Sequence, residues 1–228
     1  MKNILILLFV VPLASFFSTT SLAQDPETTS KCHCFNDRVY NPDKKFASDG
    51  YLVTTSFNSF IAVNFDLSKS QIVMMKMKGG VDPDALLIAL YIAKEGNVQF
   101  DNVLAVVENG GTWEQVLNSG SVQSTPHAKE VFKAIADAKD NQTEVVAIVT
   151  NEMLKSYFDL KDTEIAKLRK EKVSGRELVL VNILAQNSKR ITSAAEVLTM
   201  YTRQQKSWSE IANYFGFTPK EMGKLLTN

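Results

Sequence analysis

The sequence is poor in the residues that build most catalytic and disulfide-stabilised sites. It holds two cysteines and two histidines in 228 residues. Two cysteines cannot make a disulfide scaffold, and two histidines leave little material for imidazole catalysis. There is no Gly-x-Ser-x-Gly, no His-Glu-x-x-His and no dinucleotide-binding glycine fingerprint. Gly216 to Lys224 fails as a phosphate loop, because six residues rather than four separate its glycines. An excess of charge is missing as well: 25 basic side chains face 25 acidic ones. That balance excludes a nucleic-acid binder working by bulk charge. The hydrophobic fraction of 45% excludes a disordered chain and supplies one sizeable core or two small ones. The acidic residues are scattered over capping and surface positions, which lends no support to a paired-carboxylate hydrolase.

The first residues have the layout of an export signal. Lys2 supplies a positive start, and Ile4 to Phe17 form an apolar run broken only by Pro12 and Ser15. Ser21-Leu22-Ala23 then offers small residues where a signal peptidase reads. The expectation is cleavage after Ala23, leaving a secreted or periplasmic chain from Gln24 onward. Lys31 directly before Cys32 does not suit a lipoprotein signal. No later run reaches membrane-spanning length; Ala85 to Ala93 is apolar but short.

From Tyr51 the chain reads as if written twice. Phe65-Asp66-Leu67 recurs as Phe158-Asp159-Leu160, 93 residues on. The same offset pairs Asn58 with Asn151, Ile72 with Ile165, Asp84 with Glu177 and Leu87 with Leu180. With a slip of two, Thr112-Trp113 meets Ser207-Trp208, so the only two tryptophans fall at corresponding places. The expected organisation is a signal peptide (1–23), a linker and irregular arm (24–50), a helical module (51–122), a connecting helix (123–142) and a second module (143–228). Residues 24–141 carry 11 basic and 15 acidic side chains, and residues 142–228 carry 13 and 10. This modest complementarity favours docking of the halves, which apolar contacts must dominate.

The copies also arbitrate secondary structure. Asp82-Pro83 opens a helix, with Asp capping free amides and Pro where no amide hydrogen is needed. Its counterpart, Leu178 to Leu184, taken alone has the look of a strand; the capped copy argues for a helix buried all round. Ser68 with Gln71 forms a capping box, and Thr125-Pro126 and Thr218-Pro219 open two more helices. The fold class expected is all-α, with twelve helices joined by short loops. Its core comprises Phe65, Leu67, Ile72, Leu87, Trp113, Phe158, Leu160, Ile165, Leu180, Trp208 and Ile211.

Ser207-Trp208-Ser209-Glu210-Ile211-Ala212 and Gly216 to Leu226 have the outline of a helix–turn–helix. Its second helix sets Lys220 and Lys224 against Glu221, which is too weakly basic for DNA, so a compact helical corner is expected. The Trp-x-x-Ile-Ala unit and its turn, about a tenth of the chain, resemble the module ends of uncharacterised secreted bacterial all-helical proteins. The arm Cys32-His33-Cys34-Phe35-x-Asp37-Arg38 is similar to such proteins too. The resemblance implies an exported all-helical protein and no particular mechanism.

Cys32-His33-Cys34 is the densest cluster of reactive side chains. In an extended chain both sulfurs share one face and His33 takes the other. Three readings stay open: a structural staple, a strained redox-active pair with His33 lowering a thiol pKa, or part of a soft metal site for Cu or Zn. Met74, Met75, Met77 or His127 are conceivable further donors, although a Met cluster at helical spacing reads first as core. Asn141-Gln142-Thr143 is a sequon that matters only in a eukaryotic secretory pathway. The function expected is that of a secreted helical interaction or structural protein rather than an enzyme. It needs no cofactor, binds another extracytoplasmic protein, contacts no nucleic acid and keeps no membrane span after cleavage. The alternative is an extracytoplasmic thiol-redox or soft-metal protein acting through Cys32 and Cys34.

Overall fold

The structure is a computed structural model. It describes residues 35–226 apart from 78, 140 and 191. Among the described residues there are twelve α-helices and no strand. They are α1 (Asp49–Asn64), α2 (Lys69–Met77), α3 (Pro83–Glu95), α4 (Phe100–Glu108), α5 (Trp113–Leu117) and α6 (Pro126–Asp137). Then follow α7 (Gln142–Phe158), α8 (Asp162–Arg169), α9 (Gly175–Asn187), α10 (Ala194–Thr202), α11 (Trp208–Tyr214) and α12 (Pro219–Met222). The all-α class expected from the sequence is the fold observed.

Side-chain caps set the starts. Asp82 accepts from the amides of Asp84 and Ala85 at the head of α3. Thr112, Ser174, Ser193 and Thr218 close reciprocal capping boxes at α5, α9, α10 and α12. The repeated Phe-Asp-Leu unit is a helix stop. Asp66 and Asp159 both adopt left-handed backbone, with φ of 53° and 55°. Asp tolerates that region better than most residues, and one such residue ends a helix. In the first copy the Leu67 amide returns to the Ala62 carbonyl at 2.9 Å, as a Schellman turn requires.

Helix order and spacing recur. Starts of corresponding helices, α1 with α7 through α6 with α12, lie 92 to 95 residues apart. The segment expected as a connector holds α6, which shares its place in this order with the short α12. Packing crosses between the halves. Helix α1 lies on α9, α11 and α12 of the second half, and α7 lies on α3 and α6 of the first. The lead helix of each half is therefore embedded in the other. Helices α3 and α9 are its centre: Leu86 to Ala89 and Leu178 to Val181 are wholly buried. The run that taken alone has the look of a strand is thus a buried helix.

Of the expected core, Ile72, Leu87, Trp113, Phe158, Ile165, Leu180, Trp208 and Ile211 are buried, while Phe65, Leu67 and Leu160 are partly buried against them. Two of the three methionines of α2 depart from expectation, while Met75 packs against the core. Met74 and Met77 are 41% and 52% exposed, so they are not core. Ile72 and Lys76, one turn apart, take the inward stripe of this nine-residue helix instead. No helix among the described residues is long and apolar enough to cross a membrane.

Candidate functional site

The described part of the arm, residues 35–48, is irregular apart from a 3-10 turn at Pro42–Lys44. Asn41 opens that turn by accepting from the Asp43 amide at 2.9 Å. The arm is fastened at both ends. Phe35 meets the Tyr51 ring edge to face at 5.6 Å, and Arg38 sits 5.5 Å from the same ring. Further along, Lys45 Nζ donates to the Gln205 carbonyl at 3.2 Å, and Ser48 Oγ donates to Ser209 Oγ at 2.8 Å. The arm thus runs from the head of α1 to the loop before α11. Cys32, His33 and Cys34 lie outside the described residues.

Beneath the arm is a carboxylate network. The Asp49 carboxylate accepts from the amides of Trp208 and Ser209 at 3.0 and 2.8 Å and from Ser209 Oγ at 2.6 Å. The first residue of α1 therefore caps α11, across the boundary between halves. Burial pushes the Asp49 carboxyl up, and these hydrogen bonds from Ser209 and Trp208 pull against it. Trp208 Nε1 donates to Glu177 at 3.0 Å, while the other oxygen of Glu177 takes the Ser174 amide and hydroxyl, both at 2.8 Å. The Tyr201 ring stacks on Trp208 at 4.0 Å. Burial first, then the Glu177 charge, push the Tyr201 phenol up to about 12. Each of these carboxylates is engaged in joining helices, which suits a fixed frame better than proton transfer.

Two aromatic rings with cations beside them face solvent here, along with Val39, Asp37 and Asp43. Phe46 is 54% exposed and Tyr214 is 44% exposed. Lys45 lies 4.8 Å from the Phe46 ring centre. Arg190 lies 4.4 Å and Lys206 5.4 Å from the Tyr214 ring centre. Arg190 also donates to the Tyr214 hydroxyl.

A second polar cluster escaped the sequence reading. Lys76, 5% exposed, donates from Nζ to Asn58 Oδ1 at 2.6 Å. Burial first, and then the Arg176 charge, lower its amine to about 7 against the pull of Asp84 and Asp82. Arg176 of α9 spans the boundary between halves: its guanidinium bonds Asp84 at 2.6 Å and lies 5.4 Å from the Phe57 ring. Gln142 reaches Asp82 at 3.0 Å. In the second half Arg169 donates twice to Asn151 Oδ1, at 3.1 and 2.7 Å. The offset of 93 that pairs Asn58 with Asn151 also pairs Lys76 with Arg169. That pairing was the available signal; an isolated Lys in a short helix reads as solvent-facing.

A groove of about 480 Å³ opens beside Val63, Asp66, Ser68 and Leu226. Lys69 lines it, donating to Thr55 Oγ1 and, at 3.4 Å, to the Gly223 carbonyl. Burial lowers the Lys69 amine to about 8. A side chain at Gly223 would meet Thr55 Oγ1 at 2.6 Å, so the close approach of α12 to α1 depends on this glycine.

Among the described residues no group of three or more His, Cys, Asp or Glu could hold a metal ion. His127 stands 3.6 Å from Glu152, on helices α6 and α7. No protein-family model, no curated protein and no solved structure matches this chain.

Proposed function

We propose that this chain is an exported helical interaction protein, freed by cleavage after Ala23. Its arm, the loop before α11 and Tyr214 would form the surface that receives another extracytoplasmic protein. The observation that carries the reading is the exposure of Phe46 and Tyr214 on segments fastened from behind. Lys45 is tied to Gln205, Ser48 to Ser209, and Asp49 to the first turn of α11. Exposed aromatic side chains on rigid backbone bury large area on binding with little loss of conformational freedom. The frame behind them is read as two copies of one six-helix unit. Support comes from the recurring helix order, the paired left-handed Asp66 and Asp159, and the matching Lys76–Asn58 and Arg169–Asn151 bonds.

The test is photo-crosslinking in the producing cell. A photoreactive residue replaces Phe46, Tyr214 or, as a control, Lys133, which is exposed on α6. One discrete adduct from the first two positions and none from the third is expected. An absence of adducts at Phe46 and Tyr214, with the protein exported and folded, would rule the surface out.

A further inference from the structure

The Tyr214 surface carries a guanidinium, that of Arg190, which no carboxylate among the described residues pairs. Arg190 is held twice by Tyr214, through the ring face at 4.4 Å and through the hydroxyl. A guanidinium has five N–H donors. The ring and its hydroxyl hold the guanidinium beside Tyr214, and its forked donors are suited to taking both oxygens of one carboxylate.

The charge continues beyond this residue. Lys206 approaches the same ring at 5.4 Å and has Glu210 at 3.4 Å as its acidic neighbour. Across the Gln205 carbonyl comes Lys45, beside exposed Phe46. Lys44 and Lys189, next in sequence to Lys45 and Arg190, are exposed. Counted over residues 43–46, 189–190 and 205–214, five cations stand against two acids, Asp43 and Glu210. Contacts link Phe46 to Lys45, Lys45 to the Gln205 carbonyl beside Lys206, and Lys206 and Arg190 to Tyr214, so a single small anion would use only part of this surface. A chain of carboxylates with interspersed apolar side chains would match both the charge and the aromatic contacts.

Resting on the interaction reading above, we infer that Arg190, Lys206 and Lys45, with Tyr214 and Phe46, bind an extended acidic peptide segment of the partner protein. Arg190 would be its main anchor, because it combines forked donors held beside Tyr214 with the absence of an acidic neighbour among the described residues.

The test uses the purified chain and a fluorescein-labelled eight-residue peptide of six glutamates and two phenylalanines. The same peptide with glutamines serves as its neutral counterpart. Anisotropy should show saturable binding of the glutamate peptide and at least about tenfold weaker binding of the glutamine one. Arg190→Ala should weaken binding about tenfold and Arg190→Lys by about threefold, because Lys keeps the charge but loses the paired donors. Lys133→Ala should change nothing. Raising the salt from about 0.05 to 0.5 M should weaken binding several-fold, since these charges are partly or fully exposed. Unchanged binding in both Arg190→Ala and Lys206→Ala overturns the inference. So does binding of a sulfated polysaccharide through these residues when the glutamate peptide does not bind. A crosslinked partner at Tyr214 without peptide binding would remove the acidic partner and keep the interaction surface. Loss of both would remove both.

Discussion

Lys76 is a costly residue to bury, and its environment states the cost. Its amine meets a neutral amide oxygen, while Asp84, whose charge acts on it, is bonded by Arg176. Its folded pKa of about 7 lies below the ordinary lysine value of 10.5. A group whose folded pKa is lowered in this way binds its proton more weakly when folded. The unfolded chain then holds more protons between these two values, so folding stability rises with pH from about 7 to about 10.5. Below about 7 the full cost of the buried charge is present. Lys69, lowered to about 8, adds a rise of the same sign that starts later. Urea midpoints measured at pH 7, 8 and 9 should climb, by at most about 1.4 kcal/mol per pH unit from Lys76 alone. Lys76→Met should flatten the step between pH 7 and 8. A wild-type midpoint that does not move across this range would show that Lys76 reaches water.

Trp208 ties α11 to α1, α9 and α10. It is 2% exposed, stacks on Tyr201, bonds Glu177 and has its backbone amide held by Asp49. Trp208→Ala should cost about 3–5 kcal/mol, read as a shift of the urea midpoint at constant slope. A cost under about 1 kcal/mol would mean that the ring is dispensable to the core and open to another use.

At the level of the helix, the repeated Phe-Asp-Leu stop makes a paired prediction. Asp66 and Asp159 occupy a backbone region where an L residue is strained and glycine is not. Asp66→Gly and Asp159→Gly should each stabilise the chain by about 0.5 kcal/mol, the gain being limited by the greater freedom of glycine when unfolded. The two helices they end meet through Phe60, which stacks on Phe158 at 5.5 Å, so a departure from additivity in the double variant would report coupling through these rings. Destabilisation by either substitution would mean that the Asp side chain does more there than end a helix. The outcome is read from thermal midpoints.

For the whole molecule, the reciprocal seating of α1 and α7 decides how it unfolds. Neither half can keep its core once the other has opened, because each would lose the lead helix that fills it. Unfolding should therefore be a single transition. Trp113→Phe leaves Trp208 as a reporter of the second half, and Trp208→Phe leaves Trp113 for the first. Within each variant the fluorescence midpoint should coincide with that of the far-ultraviolet dichroism. Two separated midpoints would show halves that fold independently. Added salt should move these midpoints little, because the Arg176–Asp84 pair across the boundary is partly exposed and the carboxylates of Asp49 and Asp82 meet neutral donors there.

Local chemistry was legible from residues alone. Asp82-Pro83, Ser68 with Gln71, Thr125-Pro126 and Thr218-Pro219 mark helix starts, because a cap acts within four residues of itself. The pairing of the two tryptophans and of the two Phe-Asp-Leu units was equally a matter of spacing. The fate of Met74, Met77 and Lys76 was not legible, since a short helix offers several faces and only its neighbours choose among them. The same holds for the surface carried by Phe46, Arg190, Lys206 and Tyr214. Its members lie up to 168 residues apart in sequence, and no periodicity joins them. They meet because Asp49 and Ser48 hydrogen-bond the start of α11, which draws the arm onto the second half. Caps and stops come from the sequence by itself, because backbone hydrogen bonds at helix ends are satisfied locally. Which side chains stay in water was decided by tertiary structure, because burial depends on what the rest of the chain lays over each face.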